Sequence, residues 1–335
     1  AAAHAGLKNF DYAIENFEEI LKITPNDAIT YYNIGNIYKE KKEYNLEIKS
    51  YQKALKIKPD HAESHNNMGN AFKVKGDLDA AIDNFISAIN LKPDFAEAYY
   101  NLGIVMEQRG DYEAALNNYK KAIEIKPQYF KAHLNIGHAL RDRGDLKLAI
   151  DSYKQAIKIN PSYANTYFNM GITLKDIGDL NAAIESYQKA IKIKSDYAEA
   201  YLNMGIALSE KGEFDAAISS YKEAIKIKPN YAEAYHNVGS VMKSTNHLVS
   251  AISFFNQAIK IRPDFAEAHE NLALVLLRSE EFKLGWVSYE WRLKVKNNNF
   301  TYLSTSKEIW QGIRNQKVLL WAEQGIGDEI MFASV

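Results

Sequence analysis

The chain of 335 residues carries 41 basic and 42 acidic side chains, a formal net charge of −1, so no global field draws it to nucleic acid or to an anionic membrane. It has 0 cysteines, which excludes disulfides, thiolate nucleophiles and zinc–thiolate centres and fits a reducing, cytoplasmic setting. Apolar residues at 47% and charged ones at 25% are the proportions of a folded globular chain, and no apolar run reaches the roughly eighteen residues of a spanning helix.

Self-similarity organises the sequence. Residues 1–27 read as the partial first member of a series. From Ala28 a 34-residue pattern recurs as 28–61, 62–95, 96–129, 130–163, 164–197, 198–231, 232–265 and a degenerate 266–299. Within 96–129, Ala96, Tyr99, Leu102, Gly103 and Met106 share one helical stripe. Gly110 stands where a helix C-terminus takes a left-handed residue, and Asp111 suits the start of a second helix. That helix places Ala115, Tyr119, Ala122 and Ile125 on its apolar side and stops at Pro127. Proline recurs at Pro25, Pro59, Pro93, Pro161, Pro229 and Pro263, with Ser195 the internal exception. Each repeat thus predicts an antiparallel helix pair. Gly103, with Gly35, Gly69, Gly137, Gly171, Gly205 and Gly239, stays small where the two helices approach closely. So does Ala115, with Ala81, Ala149, Ala183, Ala217 and Ala251. One pair cannot bury its apolar face, whereas a stack makes a continuous core. Lysine runs such as Lys192 to Lys194 read as solvated outer faces.

From Phe282 the composition shifts. EFKLGWVSYEWRL keeps Gly285 and Tyr289 but adds Trp286 and Trp291, and reads as a terminal cap. Residues 300–316 read as a connection. In 317–335, Val318 to Trp321 predicts a buried strand, Gly325 and Gly327 a tight turn, and Asp328 the start of a helix. Together they form the opening of an α/β domain that stops too soon to fold alone.

The period, the small–large pattern and the terminal proline resemble the tetratricopeptide repeat, over about 299 of 335 residues. The resemblance implies an all-α, right-handed superhelix whose first helices line a concave groove. The GW…YEWR cap, the W-x-G and EQGIGDEIMF resemble bacterial proteins in which such repeats precede a glycosyltransferase domain of the two-Rossmann kind. The GIGD turn is also similar to the first loop of heptosyltransferases, which implies a base role for Asp328 and a nucleotide sugar as donor to that domain. Asp328 equally fits a plain helix N-cap. The repeats themselves imply no cofactor.

The sixth position of every full repeat is asparagine: Asn33, Asn67, Asn101, Asn135, Asn169, Asn203, Asn237 and Asn271. A side-chain amide both donates and accepts, so such a row can grip a peptide backbone whatever its side chains. It can also bond to the neighbouring helix, and both roles stay open. The unbroken run resembles the ladder in the repeat arm of the O-linked N-acetylglucosamine transferases. A clamp for a C-terminal carboxylate is not expected. The fifth position holds Tyr32, Asn66, Tyr100, Leu134, Phe168, Leu202, His236 and Glu270, without lysine, and Glu63, Glu97, Glu199, Glu233 and Glu267 lie near the groove edge. His65, His133 and His269 replace tyrosine at the fourth position as packing residues, and no metal site is expected. The expected partner is a protein or peptide, with neither nucleic acid nor membrane. One reading makes the repeats the acceptor-recognition arm of a larger sugar transferase, the other a stand-alone scaffold without enzymatic activity.

Overall fold

The structure, a computed structural model, describes residues 10–291. The predicted strand, glycine turn and Asp328 helix lie outside those residues, as do 1–9. Every helix pair falls in the 34-residue frame, and no strand occurs among the described residues. The chain divides into two units between Lys211 and Gly212. The first holds α1 (Phe10–Ile23), α2 (Ala28–Lys41), α3 (Tyr44–Ile57), α4 (Ala62–Lys75), α5 (Leu78–Leu91) and α6 (Ala96–Gln108). It continues with α7 (Tyr112–Ile125), α8 (Phe130–Arg143), α9 (Leu146–Ile159), α10 (Ala164–Ile177), α11 (Leu180–Ile193) and α12 (Ala198–Glu210). The second holds α13 (Phe214–Ile227), α14 (Ala232–Ser244), α15 (Leu248–Ile261), α16 (Ala266–Arg278) and α17 (Phe282–Tyr289). Even-numbered helices open a repeat and odd-numbered ones close it. Within each unit a helix packs on its neighbours in the chain, the arrangement of an α-solenoid.

Local chemistry sets the helix ends. Asp111 accepts from the Ala114 amide at 3.0 Å and Asp77 from the Ala80 amide at 3.1 Å, each capping a second helix. Gly76, Gly110, Gly144, Gly178 and Gly212 close their first helices at φ between 80° and 94°, while Lys42, Asn246 and Glu280 take the same role at φ near 60°. Proline is not what fixes the other end. The 164–197 repeat carries Ser195, yet α11 still stops at Ile193, where the Lys194 amide bonds back to the Ala190 carbonyl.

The small first-helix residue has a more local cause than helix-to-helix proximity. In Gly103 an added Cβ would lie 2.5 Å from Cε1 of Tyr119, a wholly buried ring of the same repeat. Gly35 faces Tyr51, Gly69 faces Phe85, Gly137 faces Tyr153, Gly171 faces Tyr187 and Gly239 faces Phe255 in the same way. Each pair is one large ring laid over one bare backbone. The alanines at 81, 115, 149, 183, 217 and 251 are wholly buried, but the equivalent of the first full repeat is Glu47, only 1% exposed. The lysine runs are exposed, Lys192 and Lys194 among them, and several lysine ammonium groups also lie over a nearby ring. Nζ of Lys92 lies 4.8 Å from the Phe95 ring centre, that of Lys126 5.1 Å from Tyr129 and that of Lys194 4.6 Å from Tyr197. In the second unit, His269 stacks on Trp291 at 4.0 Å, so the cap's added tryptophan packs on the last first helix.

Candidate protein-binding face

Residues five, nine and twelve of a repeat fall four and then three apart, so they share one face of the first helix, with residue six at its edge. Asn67, Asn101, Asn135, Asn169 and Asn271 bond to the repeat before, and Asn33, Asn203 and Asn237 do not among the described residues. Nδ2 of Asn67 donates to Tyr32 Oη at 3.3 Å and to Asn36 Oδ1 at 3.1 Å. That of Asn101 donates to Asn66 Oδ1 at 2.9 Å, and that of Asn135 to Tyr100 Oη at 3.4 Å and Tyr119 Oη at 3.3 Å. Asn169 donates to His138 Nε2 at 2.8 Å. In the second unit Asn271 donates to His236 Nε2 at 3.1 Å and accepts from Lys243, while Asn237 Oδ1 meets His236 Nδ1 at 3.3 Å. Asn203 turns back onto the Glu199 carbonyl of its own helix at 2.9 Å. Asn33 bonds to nothing among the described residues.

The partner is decided by the repeat before. Where residue five or nine is polar (Tyr32 and Asn36, Asn66, Tyr100, His138, His236), the amide N–H reaches across to it. Before Asn203 those residues are Phe168 and Ile172, which offer no acceptor, and the amide bonds locally. The oxygens differ. Oδ1 of Asn33, Asn101, Asn135, Asn169 and Asn203 accepts no hydrogen bond among the described residues. None of these oxygens is among the fully buried unpaired atoms, although Asn101 as a residue is only 6% exposed.

Several neighbours hold this face in place. Tyr51 donates to Asn36 Oδ1 at 2.8 Å and Tyr119 to Glu107 Oε2 at 2.7 Å. Burial raises both phenols above their ordinary range, so they stay protonated donors. Burial, then the Arg141 charge, lowers His138 to about 4, which keeps its ring neutral and able to accept from Asn169. The fourth-position histidines do more than pack. Nε2 of His65, His133 and His269 meets the carbonyl of Pro59, Pro127 and Pro263 at 3.3, 2.9 and 3.0 Å, tying each first helix to the loop before it.

The edge glutamates are neutralised where a cation is near: Glu63 pairs with Lys92 at 3.0 Å, and Glu233 pairs with Arg262. Inspection of the fifth position alone missed a basic row. The twelfth residue is Lys39, Lys73, Arg141 and Lys175 in the first unit and Lys243 in the second, broken by Glu107 and Ser209 in the first unit and by Leu277 in the second. A seven-residue step from position five would have found it. Among the described residues, no group of three His, Asp or Glu side chains is placed to hold a metal ion, and no helix is long and apolar enough to cross a membrane.

Family models for the TPR repeat match residues 35–76, 69–109, 107–140, 137–178, 173–212 and 207–246, and a tetratricopeptide-repeat model matches 232–265. No curated protein matches the chain. Among solved structures, MamA is 29% identical, over 50% of this chain and 97% of its own, with a TM-score of 0.47. The APC/C hetero-tetramer Cut9–Hcn1 is 18% identical, over 80% of this chain and 52% of its own, with a TM-score of 0.53. PilF of Pseudomonas aeruginosa is 18% identical, over 62% of this chain and 95% of its own, with a TM-score of 0.53. The last two share the fold. A stack of helix pairs presenting polar side chains from successive first helices is consistent with a scaffold for protein–protein interaction, and the chain belongs to the tetratricopeptide-repeat family.

Proposed function

We propose that the first unit binds an extended stretch of polypeptide across its first helices, with the sixth-position asparagines as the row of contacts to the peptide backbone. The observation that carries this reading is the division of labour within each amide. The N–H side of Asn101, Asn135 and Asn169 is engaged by the preceding repeat, which fixes the orientation of an oxygen that accepts nothing further. A fixed acceptor is suited to a backbone N–H. Packed helices stand roughly 8–10 Å apart and an extended chain advances about 3.3 Å per residue, so each asparagine meets about every third residue of the ligand. Each such bond contributes on the order of 1 kcal/mol, so affinity grows with the number of repeats engaged.

Asn33 and Asn203 allow a clean test, because neither bonds to a neighbouring repeat among the described residues. Peptides selected from a random twenty-residue library, long enough to reach from Asn33 to Asn203, should bind the Asn33→Ala, Asn203→Ala double variant roughly tenfold or more weakly than the wild-type chain, with unchanged helical circular dichroism. Equal binding removes the row.

The same face would serve as the acceptor-recognition arm of a larger sugar transferase. That part of the reading rests on the resemblance of 317–335, with Asp328 as base and a nucleotide sugar as donor, all outside the described residues. The native gene product, supplied with nucleotide sugars and a selected peptide, should transfer sugar and lose transfer on Asp328→Asn. A native product without turnover leaves the non-enzymatic scaffold.

A further inference from the structure

The twelfth-position cations are not equivalent. Nη2 of Arg141 pairs with Asp142 at 3.2 Å and Nζ of Lys175 lies 3.7 Å from Asp176. Lys39 and Lys73 have no carboxylate at ion-pair distance among the described residues. They occupy the same register on α2 and α4. Lys73 is half-buried, and its ammonium makes one hydrogen bond, to Asn70 Oδ1 at 2.9 Å. Asn70 is itself fixed, donating to the Asn66 carbonyl at 3.2 Å, and Asn66 accepts from the ladder residue Asn101.

Negative charge near the two lysines is limited: Glu107, at the same register on α6, already accepts from Tyr119 Oη at 2.7 Å. Burial first, and then the Lys39 charge, lowers the Lys73 pKa; only Glu97, from the first turn of α6, acts the other way. Lys39 is felt by Glu47 of α3, a buried carboxyl raised to about 7 that is partly uncharged at neutral pH. Lys39 is exposed and Lys73 partly desolvated, and two neighbouring cations of which one is partly desolvated are stabilised by an anion brought from outside. The position of that anion relative to the ladder is set by helix geometry. Six residues separate the sixth and twelfth positions, about 9 Å along the axis, a gap that an acidic side chain from a peptide on the asparagines spans by meeting a lysine side chain.

We propose that Lys39 and Lys73 form an anion subsite on the first-helix face that selects polypeptides carrying an internal aspartate or glutamate side chain. This rests on the peptide-binding reading above and adds a sequence preference that the asparagines, as backbone contacts, cannot provide. It differs from a clamp for a chain terminus, because both cations sit at the twelfth position and neither is paired with a fifth-position cation.

The test uses three fluorescent dodecapeptides with amidated C-termini, built of serine and glycine with Glu-Glu, Gln-Gln or Lys-Lys at the centre. Fluorescence anisotropy is read on the wild-type chain, on Lys39→Gln, Lys73→Gln and their double variant, and on the Asn33→Ala, Asn203→Ala variant. Glutamine at 73 keeps a donor for Asn70, and circular dichroism reports the fold. On the wild type, Glu-Glu should bind about tenfold tighter than Gln-Gln, as expected for charge-assisted hydrogen bonds at a partly exposed site. The double lysine variant should erase that preference while leaving Gln-Gln binding unchanged, and raising salt should weaken only Glu-Glu. Equal binding of Glu-Glu and Gln-Gln to the wild type overturns the subsite and leaves the asparagine row standing. A preference that survives the double lysine variant overturns it too. A lysine-dependent preference together with affinities no weaker on Asn33→Ala, Asn203→Ala than on the wild type upholds the subsite and removes the row. Absence of binding by every probe overturns both.

Discussion

Replacing Glu47 with alanine should stabilise the protein at pH 8 and not at pH 4.5. Glu47 stands where six other repeats carry a wholly buried alanine; it is 1% exposed, its Oε2 has no partner, and burial raises it to about 7 despite the favourable Lys39 charge. The folded form therefore holds the proton more tightly than the unfolded chain, whose ordinary value is 4.5. Below about pH 4.5 both states are protonated and no penalty exists. Between 4.5 and about 7 stability falls as pH rises, and above 7 the loss is constant. That shift corresponds to about 3 kcal/mol. Alanine removes the penalty together with one buried methylene, worth about 0.8 kcal/mol. The net effect is a gain of about 2 kcal/mol at pH 8 and a loss of about 1 kcal/mol at pH 4.5. Urea unfolding followed by circular dichroism gives the global value, and amide exchange along α3 localises it, which matters in an array whose repeats need not unfold together. Glu47→Gln should flatten the same pH window. An alanine effect that is equal at the two pH values refutes the reasoning, because it means the carboxyl ionises normally in the fold.

His138 should produce the opposite slope. Its lowered pKa means the native state disfavours the proton, so stability is complete above pH 6.5 and falls as pH drops toward about 4; His138→Gln, which keeps an acceptor for Asn169, should remove that acid loss in melting curves. Gly103→Ala should cost about 1–3 kcal/mol through overpacking on Tyr119, more than Gly110→Ala, whose added Cβ meets nothing and whose φ of 80° costs roughly 1–2 kcal/mol. Changing Tyr119 to leucine in the same chain should recover much of the Gly103→Ala loss, and additive effects in that double-mutant cycle would sink the ring-over-glycine account. Asn101→Ala should lower stability by about 1 kcal/mol or more, since it strands the buried Asn66 oxygen, whereas Asn203→Ala should cost less; equal losses in urea unfolding would contradict the assignment of partners.

The sequence made the helix pairs visible because their causes are local and repeated. A glycine at the end of a first helix, an aspartate cap and an apolar stripe each act within a few residues, and their recurrence in successive repeats removes the ambiguity of any single one. Proline proved redundant as a stop, as Ser195 shows. The reason for the internal glycine was only half legible: its smallness is written in the sequence, but the ring that demands it lies sixteen residues away and is seen only when the second helix folds back. Glu47 was hidden by the opposite logic, as one departure in a list of alanines.

The face itself was least legible, because the bonds between one first helix and the next join residues 28 to 35 positions apart. The identical asparagine serves different neighbours according to residues five and nine of the repeat before: a tyrosine hydroxyl, another amide, an imidazole or, failing those, its own helix. An unbroken series of one residue type is therefore not one repeated function. In each repeat the amide first satisfies whatever its predecessor offers, and only the atoms left over are available to a ligand. That ordering follows from energetics, since a donor facing a neighbouring helix costs more to leave unmade than a solvent-reached acceptor does. On the proposed reading, the same ordering would make a ligand draw on the oxygens of the first unit and on Lys39 and Lys73, rather than on the whole row of asparagines equally.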